Sequence, residues 1–211
     1  MQFDIAMTDE LLATTRAVRK RLDCDRPVPR EVIMECLELA VQAPTGSNSQ
    51  TWRWVVVDDA EIRSQIAGHY QQAARAYLET AAGQHAGQQT QIARVYDSAL
   101  WLADNLARVP VFLIPCLEGR PPAGAPPVLQ ASAYGSIFPA VWSFQLALRA
   151  RGLGSALTTL HLVFEDEVAT LLNLPESVQQ VALLPVAYTK GTDFKRAERP
   201  PVSDITHWNG W

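Results

Sequence analysis

Apolar residues fall at helical spacing in several stretches of the chain, with short apolar runs between them. Over residues 29–43, Val32, Ile33, Cys36, Leu37, Leu39, Ala40 and Ala43 recur near every third or fourth position. Pro29 suits the first turn and Pro44 stops the pattern, so a helix is predicted there. RWVVVD at 53–58 is rich in β-branched residues and reads as a strand bounded by Asp58-Asp59. A long amphipathic helix is expected over 88–109, on Ile92, Val95, Tyr96, Ala99, Leu100, Leu102, Ala103 and Leu106, ending before Pro110. A second apolar strand follows at 110–117, and the proline-rich stretch 119–127 is a loop. Between 60 and 91 the composition shifts to Ala, Gln and Gly. Two readings stand for that segment: a solvated helix with a loop, or a mobile lid over a site.

The helix expected at 131–151 differs from the others. Ile137, Ala140, Val141, Trp142, Phe144, Leu146, Ala147 and Leu148 place apolar groups almost all round it. Trp142, Leu146 and Ala147 lie off the main stripe and call for a second cover, from this domain or from a partner chain. Strands are expected at 155–160 and 180–188, with a short helix at 164–172 between them. From Thr189 onward the chain is polar, proline-containing and aromatic, ending HWNGW. Helices and strands do not alternate as regular βαβ units, which points to one α+β domain over residues 1–211 with a mixed sheet.

Composition and motifs narrow the function. The 211 residues carry a formal charge of −4, leaving no global basic field to draw nucleic acid or an anionic membrane. Apolar runs such as 181–188 fall far short of the roughly 18 residues of a membrane span. Acids in MQFDIAMTDE stand where a secretory signal carries Lys or Arg, so a soluble cytoplasmic protein is expected. Cys24, Cys36 and Cys116 are odd in number and lack CxxC spacing, and the four histidines show no ligand pairing, so neither a disulfide framework nor a metal is expected. GxxxxGK[ST] and GxSxG motifs are missing. GLGSAL at 152–157 lacks the third glycine of a dinucleotide fingerprint and follows a helix.

Three polar features remain as candidate chemistry. RAVRKR at 16–21 and KRAER at 195–199 concentrate seven of the 18 cations near opposite ends of the chain. They are either two solvated charged loops or one anion site assembled from both termini, with guanidinium groups gripping a phosphate. APTGSNSQTW at 43–52 spends six residues on small polar side chains between a helix and a strand, offering donors to a ligand. In SALTTL at 155–160, Thr158 and Thr159 end an apolar strand, a common position for ligand contacts.

Taken in order, these pieces resemble the FMN-dependent nitroreductases over nearly the whole chain. Arg16-Ala17-Val18-Arg19-Lys20-Arg21 is similar to the family's opening Arg-Ser-(Val/Ile)-Arg-x-Phe. APTGSNSQTW is similar to Ala-Pro-Ser-x-x-Asn-x-Gln-Pro-Trp. LALRARGLG with the Thr-Thr strand follows, and LLPVAY, ERPPV and THWNGW close the pattern. The chain departs from it at Ala17, Arg21, Thr51 and Ala187.

The resemblance implies a nitroreductase-like α+β fold, a mixed and mostly antiparallel sheet flanked by helices, in an obligate homodimer with FMN at the interface. It implies that Arg16, Arg19 and Arg199 grip the FMN phosphate and ribityl chain, with Ala17 giving only backbone. Pro44, Thr45, Ser47 and Asn48 would line the ring side. Leu157, Thr158 and Thr159 would reach the flavin edge near its reactive nitrogen. NADH or NADPH would serve as hydride donor in a ping-pong cycle that reduces a nitroaromatic, quinone or other electron-poor small molecule, with no catalytic side chain. Three alternatives remain open. The first stays within the fold: a reductive dehalogenase, whose lid region would hold Tyr70, Arg75, Tyr77 and Glu79, or an oxygen-using flavin-cleaving enzyme. The second is a flavin-binding protein without turnover, and the third is a phosphate-binding domain with no flavin.

Overall fold

The computed structural model describes residues 3–84, 87–88 and 90–211. Its centre is a five-stranded sheet in the order β1-β2-β5-β3, with β4 off this path and paired to β2. β2 (Val111–Glu118) is the axis, seven of its eight residues being buried. β1 (Trp52–Val57) runs antiparallel along one side of it, from Trp52 opposite Leu117 to Val57 opposite Phe112. On the other side β5 (Leu184–Tyr188) covers the first half of β2 and β4 (Val178–Gln180) the second, and β3 (Leu153–Ser155) pairs with β5. These pairings are antiparallel. The parallel element is a single bridge from Ala17 to Ser155, which brings the N-terminal segment to the sheet edge.

Side chains alternate across a strand, so β2 feeds two cores. Phe112, Ile114 and Cys116 face a cluster closed by α3 (Ala60–Gln84), α4 (Gln91–Asn105) and α6 (Glu165–Leu171). Val111, Leu113 and Leu117 face a cluster closed by α2 (Arg30–Ala40) and α5 (Pro127–Ala150). α1 (Ile5–Thr14) lies at the end of the molecule, capped by the Asp4 carboxylate, which accepts from the Met7 N–H at 3.0 Å.

The helices over 29–43, 88–109 and 164–172 and the strands over 53–58 and 110–117 are found within a few residues of expectation; of the 88–109 stretch, residue 89 lies outside the described residues. Four differences are informative. α5 starts at Pro127 rather than 131, because proline's missing N–H costs nothing in a first turn. The strand expected at 180–188 is two strands, since the ladder along β2 is interrupted over 181–183: the Val181 N–H still donates to the Pro115 carbonyl at 2.9 Å, but Leu183 pairs with Thr158. The strand expected at 155–160 ends at Ser155, and Leu160–Phe164 is a 3-10 turn.

The fourth difference concerns residues 60–91. Residues 60–84 form a single helix with one face in the core: Ile66, Ala67, Tyr70, Ala74 and Leu78 are buried in the first core and Ala81 is buried beyond them, while much of the rest of the helix is exposed. Residues 85, 86 and 89 of that segment lie outside the described residues. The outer side of α5 keeps the apolar surface the sequence called for, with Trp142 43% exposed, whereas Ala147 is covered within the chain.

Candidate functional site

The first basic cluster is placed by a backbone bridge. After α1 the Val18 N–H donates to the Ser155 carbonyl at 2.8 Å, and Val18 is buried, which turns its neighbours Ala17 and Arg19 the other way. Gly154 makes the approach possible. A Cβ there would sit 2.8 Å from both Val18 Cγ2 and Thr189 Cγ2.

The second cluster is folded back over the first. Beyond β5, the Thr189 N–H donates to the Gly152 carbonyl at 3.0 Å and the Lys190 N–H to Arg21 O at 2.8 Å. Arg21 then pins the tail: it donates to Lys190 O at 2.8 Å, pairs with Asp193 at 2.7 Å and lies 4.1 Å over the Phe194 ring. Arg16 donates to the Lys195 carbonyl at 2.8 Å. The outcome is a cavity of about 490 Å³ lined by Arg16, Ala17 and Arg19 from one end of the chain and Arg196, Ala197, Glu198 and Arg199 from the other. α4 supplies the third wall with Gln91, Arg94, Val95 and Ser98, and Arg19 donates to Ser98 Oγ at 3.3 Å. A second cavity of about 510 Å³ shares Arg16, Ala17, Arg196 and Arg199 and runs toward Leu12 and Trp142.

The structure divides the residues of the basic clusters into two groups. Lys20, paired with Asp97 at 2.5 Å, and Arg21 are structural charges. Arg16, Arg19, Arg196 and Arg199 converge, although Arg16 and Arg199 stand 183 positions apart. Burial pulls the Arg19 guanidinium below its ordinary pKa, and Tyr70 partly offsets this. An arginine still ionised in such a place is stabilised by an anion that enters beside it.

The polar loop lies elsewhere. Gly46–Asn48 is a 3-10 turn in which Ser47 and Asn48 have φ of 53° and 52°, and Gln50 follows at 48°. Successive left-handed residues hold the chain in a tight curl that Asn and small polar side chains tolerate better than β-branched ones. The curl is tied to α5: the Gly46 N–H donates to Ser136 Oγ at 3.0 Å, and Trp52 Nε1 donates to Ser136 O at 2.8 Å. Pro44, Ser47 and Asn48 are exposed, Thr45 is half-buried, and none of the four lines either arginine cavity.

Leu157, Thr158 and Thr159 leave β3 toward the surface, Leu157 and Thr159 exposed and Thr158 half-buried. The Thr158 N–H donates to Leu183 O at 3.0 Å and its carbonyl accepts from the Leu183 N–H at 2.8 Å. Its backbone is thereby committed, and its hydroxyl lies 3.0 Å from the hydroxyl of Tyr70. Tyr70, assigned above to a lid region, is 2% exposed and part of the core.

Sequence reasoning missed the α4 wall, because Gln91, Arg94 and Ser98 occupy the ordinary polar face of an amphipathic helix. A third cavity, of about 640 Å³ and mostly apolar, borders that wall: Tyr77, Ile92 and Tyr96 line it together with Gln91 and Val95, which face the arginine cavity too. Among the described residues no group of three or more His, Cys, Asp or Glu is placed to hold a metal ion, and no helix is long and apolar enough to cross a membrane.

Comparison with known proteins matches this architecture. An iodotyrosine deiodinase of Thermotoga neapolitana is 27% identical over 200 residues, covering 94% of this chain and 96% of the relative. An NADH dehydrogenase of Thermus thermophilus is 28% identical over 195 residues, covering 86% and 87%. The crystal structure of an oxidized iodotyrosine deiodinase bound to FMN and 3-iodo-L-tyrosine superposes with a TM-score of 0.70 at 26% identity, covering 95% of this chain and 98% of that one. The model of the Nitroreductase family matches residues 12–188, which spans the bridge at Ala17, the polar loop, the Thr158 turn and the whole sheet, and the chain belongs to that family.

Proposed function

We propose that this chain is an FMN-dependent oxidoreductase that uses NADH or NADPH to reduce an electron-poor, flat aromatic or quinone-like small molecule. The observation that carries the reading is the convergence of Arg16, Arg19 and Arg199, with Arg196, on one cavity. Several guanidiniums around about 490 Å³ suit a phosphate dianion, which takes paired N–H donors from more than one direction. Arg16, Arg19 and Arg199 would hold that phosphate and the start of the ribityl chain, while Ala17 and Ser98 lie against it. When bound, the flavin supplies acceptance and release of a hydride. Leu157, Thr158 and Thr159 would stand at the ring edge, with the Thr158 hydroxyl as donor. Positioning and desolvation are the protein's contribution, and no side chain serves as acid or base.

The ring side is completed by a second copy of the chain. Pro44, Thr45, Ser47 and Asn48 stand away from the arginine cavities, on a surface that a partner's cavity would meet. Exposed apolar groups support this pairing: Trp142 beside Arg16 in the second cavity, and Val202, Ile205, Trp208 and Trp211 in the tail. The acceptor would sit by Tyr77 and Tyr96, whose rings meet edge to face at 6.5 Å beside the apolar cavity.

A second reading is favoured by the two iodotyrosine deiodinases named above: reductive removal of halogen from a phenol at the same ring. The test begins with the visible spectrum of the purified protein before and after anaerobic NADPH. A yellow protein that is bleached supports the oxidoreductase. A yellow protein that is not bleached marks a binding protein, and a colourless one that takes up no FMN overturns the reading. Turnover of nitroaromatics against halophenols by the bleaching enzyme then separates the two reactions.

A further inference from the structure

The Thr158 hydroxyl is held from behind by a core residue. Tyr70 lies midway along α3 with its ring among the first core's side chains, and a buried phenol needs a polar partner. That partner is Thr158 Oγ1 at 3.0 Å. Because Thr158 exchanges both backbone bonds with Leu183, its main chain cannot turn, and the hydroxyl is the group it has to offer. Each hydroxyl carries one hydrogen, so the pair has two arrangements: either oxygen can give its hydrogen to the other.

Chemistry selects one of them. A phenol is the stronger acid of the two, with a pKa of about 10 in the free side chain, and so the better donor. Burial pushes the phenol above its usual pKa, so it keeps its hydrogen at neutral pH. With the Tyr70 hydrogen on Thr158 Oγ1, the Thr158 hydrogen is turned outward.

We infer that Tyr70 is a positioning residue, which fixes the Thr158 hydroxyl as an outward-facing donor to the ligand. The inference rests on the flavin reading above. The donor is set before any ligand arrives, which avoids the cost of orienting it during the reaction.

The test uses the FMN-loaded protein with Tyr70→Phe, Thr158→Ala, the double variant and Thr158→Ser. Tyr70→Phe keeps the ring in the core and removes only the oxygen. A free hydroxyl rotor in place of a fixed donor should lower kcat about 2- to 12-fold, the worth of one ordinary hydrogen bond, with the KM for NADPH nearly unchanged. The midpoint potential of bound FMN should move to more negative values, because the donor favours negative charge on the reduced ring. In the Thr158→Ala background Tyr70→Phe should add nothing to either quantity, and Thr158→Ser should retain the parent potential. A Tyr70→Phe protein that loses thermal stability but keeps the parent's potential and kcat overturns the inference. So does an equal effect of Tyr70→Phe with and without Thr158. If Tyr70→Phe does not fold, a Thr158→Ala protein with the parent potential overturns it on its own. A parent protein that binds no FMN overturns both this inference and the functional reading, and that outcome is visible before any variant is made.

Discussion

The two polar regions that the sequence singles out are built in opposite ways. The arginine cavity is complete within one chain: a bridge to β3, a pinned tail and the flank of α4 close round it. The loop at 44–50 is a curl held on α5 by Ser136, with most of its side chains exposed and none of Pro44, Thr45, Ser47 and Asn48 lining either arginine cavity. An anion grip can be assembled from distant parts of one chain because charge acts over several ångströms and a guanidinium reaches far from its backbone. A flat ring needs two close surfaces. On the proposed reading, a single copy would hold the phosphate while the ring surface would depend on a partner.

Breaking the cavity should have the largest effect. A hydrogen bond to a charged group contributes about 1.5–3 kcal/mol, so Arg16→Ala or Arg199→Ala should weaken FMN binding by about 10- to 150-fold. Riboflavin, which lacks the phosphate, should bind all variants nearly alike. The two effects should not add, because Arg16 also holds the Lys195 carbonyl and with it the tail that carries Arg199. Titrations of both flavins on the two single variants and the double variant measure this. Unchanged FMN affinity in either single variant makes that arginine a surface charge.

A pH scan separates the scaffold from the grip. His161 is fully buried, with no protein partner for either ring nitrogen among the described residues, and burial pushes its pKa down to about 4, against a smaller opposing effect of Glu165. The unfolded chain takes up that proton near pH 6.5 while the folded chain refuses it until about pH 4. Stability should therefore fall as pH drops through that window, by at most about 1.4 kcal/mol per pH unit from this group, and should level off below it. The arginines stay charged throughout, while the FMN phosphate takes up a proton at about pH 6, so any fall of FMN affinity per folded molecule should follow the phosphate and be the same in the parent and in His161→Leu. Denaturant midpoints of the parent and of His161→Leu between pH 7 and pH 4 test it; equal slopes would remove His161 as the cause.

The loop should give the smallest change. Asn48→Gly keeps the left-handed backbone available while removing the side chain, and should weaken FMN binding by about 2- to 12-fold with the fold intact. Light scattering of the same protein sharpens the comparison. A dimer at micromolar concentration agrees with a ring site shared between copies, and a monomer that binds FMN as tightly as the parent would break it.

The amphipathic helices, the β1 and β2 strands and the α+β class were legible because their periods are strong: α2 and α4 repeat near 3.6, and β2 is an unbroken apolar run between loop signals. α3 escaped because its buried face is largely alanine, at Ala67, Ala74 and Ala81, whose small side chains hardly raise the contrast between faces. Tyr70 was misjudged for a related reason, since a tyrosine in a polar stretch looks like a surface group until Ile66, Leu78 and Leu102 are seen packed in the same cluster.

Local pattern, then, determined which residues form the helices and the central strands, and which small polar and basic segments have no place in a core. Those choices depend on neighbours within a turn or two along the chain. Tertiary structure alone decided that Lys20 and Arg21 are anchors while Arg16, Arg19, Arg196 and Arg199 share a cavity, that α4 walls it, and that a core tyrosine reaches Thr158. These depend on which side of Val18 faces Gly154 and on where the tail turns after Tyr188, contacts between residues far apart in the chain that no local period encodes.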